Sequence, residues 1–267
     1  METYRLKNIA IAVLLLLNGG LLLLLGWQQL QARQTAEAEE RELRRLYEAN
    51  QLVLGDEVEL TQQPLSPLTL ARDGETEKAI ASFLLGGDAP SSSQGGGILS
   101  YEGERGSVQF RAGGSFDGSR LALDVEDPAG FAQRFFQQFG YQDPQILLRG
   151  PTGSATATQQ VAGVTVYGCG VTLFFEQGTL TAASGAHVSL ENALVESGQT
   201  MTCVTALVRF LDHRSAAGIV CSRVTGVSCV YRLQTASASL RLLPAWQIET
   251  DTYTYFVDCA TGEVARA

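Results

Sequence analysis

The sequence predicts an α+β fold: a single N-terminal transmembrane helix followed by antiparallel sheets with packed helices. Three observations predict it. Residues 9–27 read IAIAVLLLLNGGLLLLLGW, with no charge between Lys7 and Arg33. Three later segments carry apolar residues at helical spacing between cap and stop signals, each followed by runs in which apolar and polar residues alternate. The last runs, within residues 244–264, are two strands facing each other across a turn near Asp251. At 267 residues, 45% hydrophobic and 18% charged, the chain can bury one medium core or two small ones.

A bilayer core needs about 20 apolar residues at about 1.5 Å each, so residues 9–27 suffice to span it. A cleaved secretory signal has a shorter apolar core, ~7–15 residues, with a small-residue cleavage site close behind. Here the nearest A-x-A pattern, Ala36-Glu37-Ala38, lies well beyond Leu25. An uncleaved signal anchor is therefore expected. Arg5 and Lys7 precede it, which places residues 1–8 in the cytoplasm as a stub and the rest outside the membrane. Small residues let membrane helices approach closely, so Asn18, Gly19 and Gly20 at mid-span form the expected partner-contact face.

Residues 28–62 read as a juxtamembrane helix and linker. Up to residue 54 the chain is rich in Ala, Glu, Gln, Arg and Leu, without Gly or Pro until Gly55. Ala36, Leu43 and Asn50 share one heptad position and Leu46 and Val53 its partner, but Glu39 interrupts the seam. The expectation is a helix lying on the ectodomain through Leu43, Leu46 and Val53, with a dimeric stalk as the other arrangement. A first α+β subdomain is expected over 63–150 and a second over 151–267.

The first helix after Pro64 and Pro67 spans Glu75–Leu85, with Ala79, Ile80, Phe83 and Leu84 on one face and Gly86-Gly87 as its stop. Residues 91–97, SSSQGGG, read as a flexible loop. Strands follow at Ile98–Tyr101, Ser107–Arg111 and Leu121–Val125. Asp127 as N-cap and Pro128 open the second helix, whose Phe131, Phe135, Phe136 and Phe139 make a core stripe before Gly140. Sheet resumes at Gln145–Arg149, Val161–Tyr167, Gly170–Glu176 and Thr179–Ser184, with a turn at Gln177-Gly178 and a bulge or turn at Gly168-Cys169-Gly170. The third helix, from about Thr200 to His213, presents Met201, Val204, Leu207, Val208 and Leu211. Strands at Val224–Arg232 and Leu240–Ile248 lead into the closing hairpin. There Asp258 and Thr261-Gly262-Glu263 supply a tight turn, and Trp246 and Tyr255 read as core anchors.

Charge and motifs exclude several function classes. The net charge of −9 and pI near 4.8 argue against nucleic acid, whose phosphates need a basic patch. The five cysteines, Cys169, Cys203, Cys221, Cys229 and Cys259, contain no C-x-x-C pair and read as small buried hydrophobes more than staples. His187 and His213 read as exposed or capping residues. No P-loop, nucleophile elbow, zinc-protease motif or dinucleotide fingerprint occurs. Glu249, Asp251, Asp258 and Glu263 read as solvated turn carboxylates and not as a calcium loop. No catalytic residue, cofactor or metal site is expected.

Over residues 161–267 the pattern Val166-Tyr167-Gly168, VTLFFEQGTLTAASG, ALVRFLDHR, Gly218-Ile219-Val220-Cys221, and then Trp246, Tyr255, Val257-Asp258 and Thr261-Gly262-Glu263 resembles the extracytoplasmic domain of the YycI/YycH two-component regulatory proteins of Gram-positive bacteria, a fold related to PepSY-like domains. The resemblance implies a non-enzymatic, single-pass membrane protein. It would modulate a sensor histidine kinase of cell-envelope homeostasis through transmembrane and ectodomain contacts, beside or without a YycH-type partner. PepSY-like proteins that inhibit or chaperone envelope hydrolases or proteases, including germination-type systems, are the alternative it leaves open.

Overall fold

In a computed structural model of the chain, the described residues are 38–267 apart from 192, 199, 237 and 238. The expected cytoplasmic stub (1–8), the expected anchor at 9–27 with Asn18, Gly19 and Gly20, and the first ten residues of the expected juxtamembrane helix lie outside them. Among the described residues no helix is long and apolar enough to cross a membrane.

The described chain is a mixed α and β structure with four helices and sixteen strands. Helix α1 (38–49) ends where Gln51 takes a positive φ, and β1 (Val53–Leu54) and β2 (Leu68–Leu70) follow. Next come α2 (Gly74–Leu85), β3 (Ser91–Gly95), β4 (Ile98–Gly103), β5 (Gly106–Phe110), β6 (Ser115–Ser119) and β7 (Leu123–Asp124). Helix α3 (Pro128–Gln138) precedes β8 (Tyr141–Arg149), β9 (Thr152–Val161), β10 (Val164–Glu176), β11 (Thr179–Ala186) and β12 (Leu194–Val195). Helix α4 (Cys203–Ala217) precedes β13 (Arg223–Ala236), β14 (Ser239–Thr250), β15 (Thr254–Asp258) and β16 (Val264–Arg266). The expected recurrence of a helix followed by strands is thus present three times.

Two sheets share one strand. Val166 and Tyr167 of β10 pair in parallel with β13, the second half of the strand pairs antiparallel with β9 and β11, and Val164 and Thr165 close the hairpin with β9. Between them the register shifts and Gly168 takes φ +81, a left-handed conformation that favours glycine. The bulge expected at 168–170 is therefore the kink that hands the strand from one sheet to the other. Strands β3–β9 and β11 complete the second sheet, and β1, β2 and β12–β16 the first. The pairings are not all antiparallel as expected, since β1 and β10 each run parallel to β13.

Helices α2 and α3 cover the inner face of the second sheet, where Ile80, Leu84, Phe131, Phe135 and Phe136 meet Val108, Phe116, Leu173 and Phe175. Helices α1 and α4 cover the inner face of the first, where Leu43, Tyr47, Leu207 and Phe210 meet Val224, Trp246 and Ile248. Between these cores lies a third cluster containing Leu70, Val166, Cys169, Tyr231 and Leu242.

Several expectations are corrected. Residues 91–95 are a strand and not a loop: they pair with β4, whose outer backbone groups need a partner, although every side chain in β3 is exposed. Strands β6 and β9 were not expected, and the strand expected at Val161–Tyr167 contains a hairpin turn at Ala162-Gly163. Ala79 is exposed, and α2 turns Glu77, Ile80, Ala81, Leu84 and Leu85 inward. Helix α1 docks through Leu43 and Tyr47, whose hydroxyl donates to the Leu207 carbonyl at 2.9 Å, while Leu46 and Val53 stay exposed. With Leu43 covered by α4, the seam position a stalk would use is occupied within the chain. The boundary expected at 150/151 falls in the two-residue turn joining β8 to β9.

Candidate functional site

The closing hairpin presents different chemistry on its two faces. Strand β14 faces β15 in a register that sets Trp246 opposite Val257 and Ile248 opposite Tyr255. Side chains alternate along a strand, so these four share the inner face. Trp246 is fully buried there and its indole Nε1 donates to the Met201 carbonyl at 2.8 Å, just ahead of α4. Tyr255 is buried against Phe210, with ring centroids 5.2 Å apart. Both are core anchors, as their alternation indicates.

The turn after β15 is built as its residues require. Asp258 Oδ1 accepts from the Ala260 and Thr261 amides at 2.9 and 2.8 Å, and the Gly262 amide donates to the Asp258 carbonyl at 2.9 Å. Gly262 takes φ +74, where a side chain is strained, and a Cβ there would stand 3.0 Å from Met201 Cε. Thr261 Oγ1 accepts from the Glu263 amide at 3.2 Å. The turn thereby presses β15 and β16 against the start of α4.

The outer face of the same strands carries Val230, Arg232, Leu243, Ala245, Phe256 and Asp258, by strand alternation from the paired register. Val230, Ala245 and Phe256 form a small buried cluster. Over Phe256 lie the Arg232 guanidinium, 5.2 Å from the ring centroid, and Tyr167, 4.4 Å between centroids and 39% exposed. Beside them a groove of about 330 Å³ is lined by Arg232, Gln234, Leu243, Asp258 and Glu263. Together the ring pair and the groove bring an exposed ring, a cation over an aromatic face and two carboxylates side by side on one face of the sheet. That composition suits contact with a protein surface. Arg232, Tyr167 and Phe256 were not expected as site residues, because a lone Arg and two scattered aromatics converge only through the β10–β13, β13–β14 and β14–β15 pairings.

The other residues weighed for chemistry are held structurally. Asp251 accepts from the Ser222 hydroxyl and amide, which hold its carboxyl below the usual range, so it clamps the chain end entering β13. Glu249 accepts from Gln247 at 2.8 Å. His187 Nε2 lies 3.2 Å from the carbonyl of Phe139, the C-cap of α3, and burial lowers its pKa. All five cysteines are free, and burial pushes the Cys169 and Cys203 thiols up to about 12. Beside the Cys229 thiol, that of Cys259 is raised as well. Among the described residues no three His, Cys, Asp or Glu side chains are grouped to hold a metal.

No family model matches the chain, and no curated protein matches it.

Proposed function

We propose that the chain is a non-enzymatic, single-pass membrane regulatory protein that modulates a sensor histidine kinase of the cell envelope through transmembrane and ectodomain contacts. Its N-terminus is cytoplasmic and residues 28–267 are extracytoplasmic. The observation that carries the ectodomain part is the division of the closing hairpin: Trp246 and Tyr255 fix it to α4, while Tyr167, Arg232, Asp258 and Glu263 stand on the open face as a preformed contact surface. The anchor sequence and its Asn18-Gly19-Gly20 step supply the membrane part.

The test uses the full chain in its own membrane, with a photo-reactive amino acid at Tyr167 in one variant and at Gly20 in another, followed by mass spectrometry of the cross-linked species. The same sensor kinase is expected from both positions. A hydrolase or protease captured at Tyr167, with no kinase at Gly20, would replace this reading by that of an envelope-enzyme inhibitor or chaperone.

A further inference from the structure

The second sheet ends on one side at β8, which pairs with β9 alone. Exposed sheet edges are templates for pairing with another chain, and folded proteins blunt them with prolines, bulges and charges. The first part of β8 is protected in this way: the register shifts between Gln142 and Gln145, Asp143 takes a positive φ, and residue 144 is proline. Residues 145–149, QILLR, have no such protection until Arg149. Leu147 is 70% exposed, and Ile146 and Leu148 are only half-buried at the rim of the core beneath α3.

We propose that this edge is the pairing surface for a second copy of the same chain, with the two β8 strands antiparallel about a two-fold axis at Leu147. The register is readable from the hairpin. Gly150 and Pro151 form a two-residue turn, so Arg149 and Thr152 close it as a hydrogen-bonded pair, as do Leu147 with Ser154 two residues on. The backbone N–H and C=O groups of Ile146 and Leu148 therefore point to the open edge. A two-fold at Leu147 sets Ile146 of one copy opposite Leu148 of the other, and each such pair exchanges both of its backbone hydrogen bonds. On the outer face Leu147 meets Leu147, and Gln145 meets Arg149, so no like charges are opposed across the seam. The apolar strip continues into the molecule, since Phe174, 43% exposed, lies on the same row as Leu147 with only Ser154 between them. The opposite edge, β3, is all Ser, Gln and Gly and offers no comparable side chains.

Disulfide trapping on the purified full chain in detergent micelles tests the register. Directly opposed Cβ atoms in a non-hydrogen-bonded antiparallel pair lie about 4.5–5.5 Å apart, near disulfide range. Leu147→Cys is expected to give an oxidised dimer at twice 28.6 kDa, well above the wild-type background from the native cysteines. Gln145→Cys alone and Arg149→Cys alone should stay at background, and an equimolar mixture of the two should cross-link. The exposed substitution Leu147→Asp should leave the circular dichroism spectrum unchanged and convert the chain to monomer by analytical ultracentrifugation. A wild-type chain that is monomeric at every concentration, with Leu147→Cys not cross-linked, overturns the proposal. So does cross-linking of Arg149→Cys by itself at the level of Leu147→Cys, since that register is incompatible with the two-fold at Leu147.

Discussion

Replacing Trp246 by alanine is the sharpest test of how the closing hairpin is held. The side chain is fully buried between β14 and α4, in one cluster with Val257, Ile248 and Leu207, and its N–H is bonded to the Met201 carbonyl. Removing a buried large aromatic costs about 3–5 kcal/mol, part as lost transfer energy and part as the cavity left behind. The site has little room to collapse, because its walls are a β-ladder on one side and a capped helix on the other, which favours the upper half of that range. For a chain of this size each kcal/mol moves the melting temperature by about 2–4 °C, so a fall of roughly 6–20 °C is expected. Trp246→Phe keeps most of the volume and loses the N–H donor, and should cost about 1–2 kcal/mol. The assay is urea and thermal unfolding of the full chain followed by circular dichroism. Fluorescence is unsuitable, because Trp246 is one of only two tryptophans and the variant removes the reporter. An unchanged midpoint in Trp246→Ala would refute the inward placement of the indole and turn the hairpin's inner face into a surface.

Gly262→Ala should destabilise by about 1–2 kcal/mol from its left-handed backbone, measured as a shift in urea midpoint, and Gly262→Asn should recover part of that. His187 gives a pH dependence of defined sign. Burial lowers its folded pKa, so the unfolded state binds the proton more readily; its contribution is complete above pH ~6.5 and is lost as pH falls below that value. The midpoint of His187→Gln should accordingly fall less steeply between neutrality and pH 5 than that of the wild type, and an identical slope would exclude His187 as the source. Glu77 is buried and its carboxylate takes both Nε and Nη2 of Arg72 at 2.8 Å. Glu77→Ala leaves a partly exposed guanidinium without its fork partner and should cost about 1–3 kcal/mol, less than a fully buried pair.

What the sequence makes legible follows from where each element's signal resides. Helices α2, α3 and α4 announce themselves locally: Asp73 and Thr202 cap them, Pro128 opens one, and Gly86 and Gly218 close two in the left-handed conformation. The Gln177-Gly178 turn, with both residues at positive φ, is equally local. Strand β9 is different. Its Thr, Ala and Gln residues alternate between a polar outer face and small inner residues that leave room for the phenylalanines of α3, and only the partners on both sides make it a strand. Strand β3 has no apolar residue, so its existence depends wholly on the backbone groups of β4. The residues of the open face are illegible for the same reason. Tyr167 and Arg232 are 65 positions apart in the chain, and what unites them is a two-residue parallel pairing between β10 and β13.

That short pairing also explains why the open face can be stiff. Tyr167 is followed at once by the kink at Gly168, which alone would make its position loose. The next residue, Cys169, is buried and donates its thiol hydrogen to Gln159 Oε1 and the Ala186 carbonyl, at 2.9 and 3.3 Å. Gln159 in turn accepts from the Val188 amide and donates to the Val188 carbonyl, at 2.8 and 2.6 Å, while the Tyr141 hydroxyl donates to Ala186 at 2.8 Å. Each of these side chains is buried, so a displaced kink would strand polar groups at a cost of about 1–3 kcal/mol apiece. The network therefore locks β10 where it changes sheets, and with it the ring of Tyr167 over Phe256. A surface locked in this way keeps its geometry without ordering on contact. By the same reasoning β10 ties that surface rigidly to the sheet that ends at β8, so a partner at the groove and a second copy at the β8 edge would be held at a fixed separation by a single continuous strand and its neighbour β9.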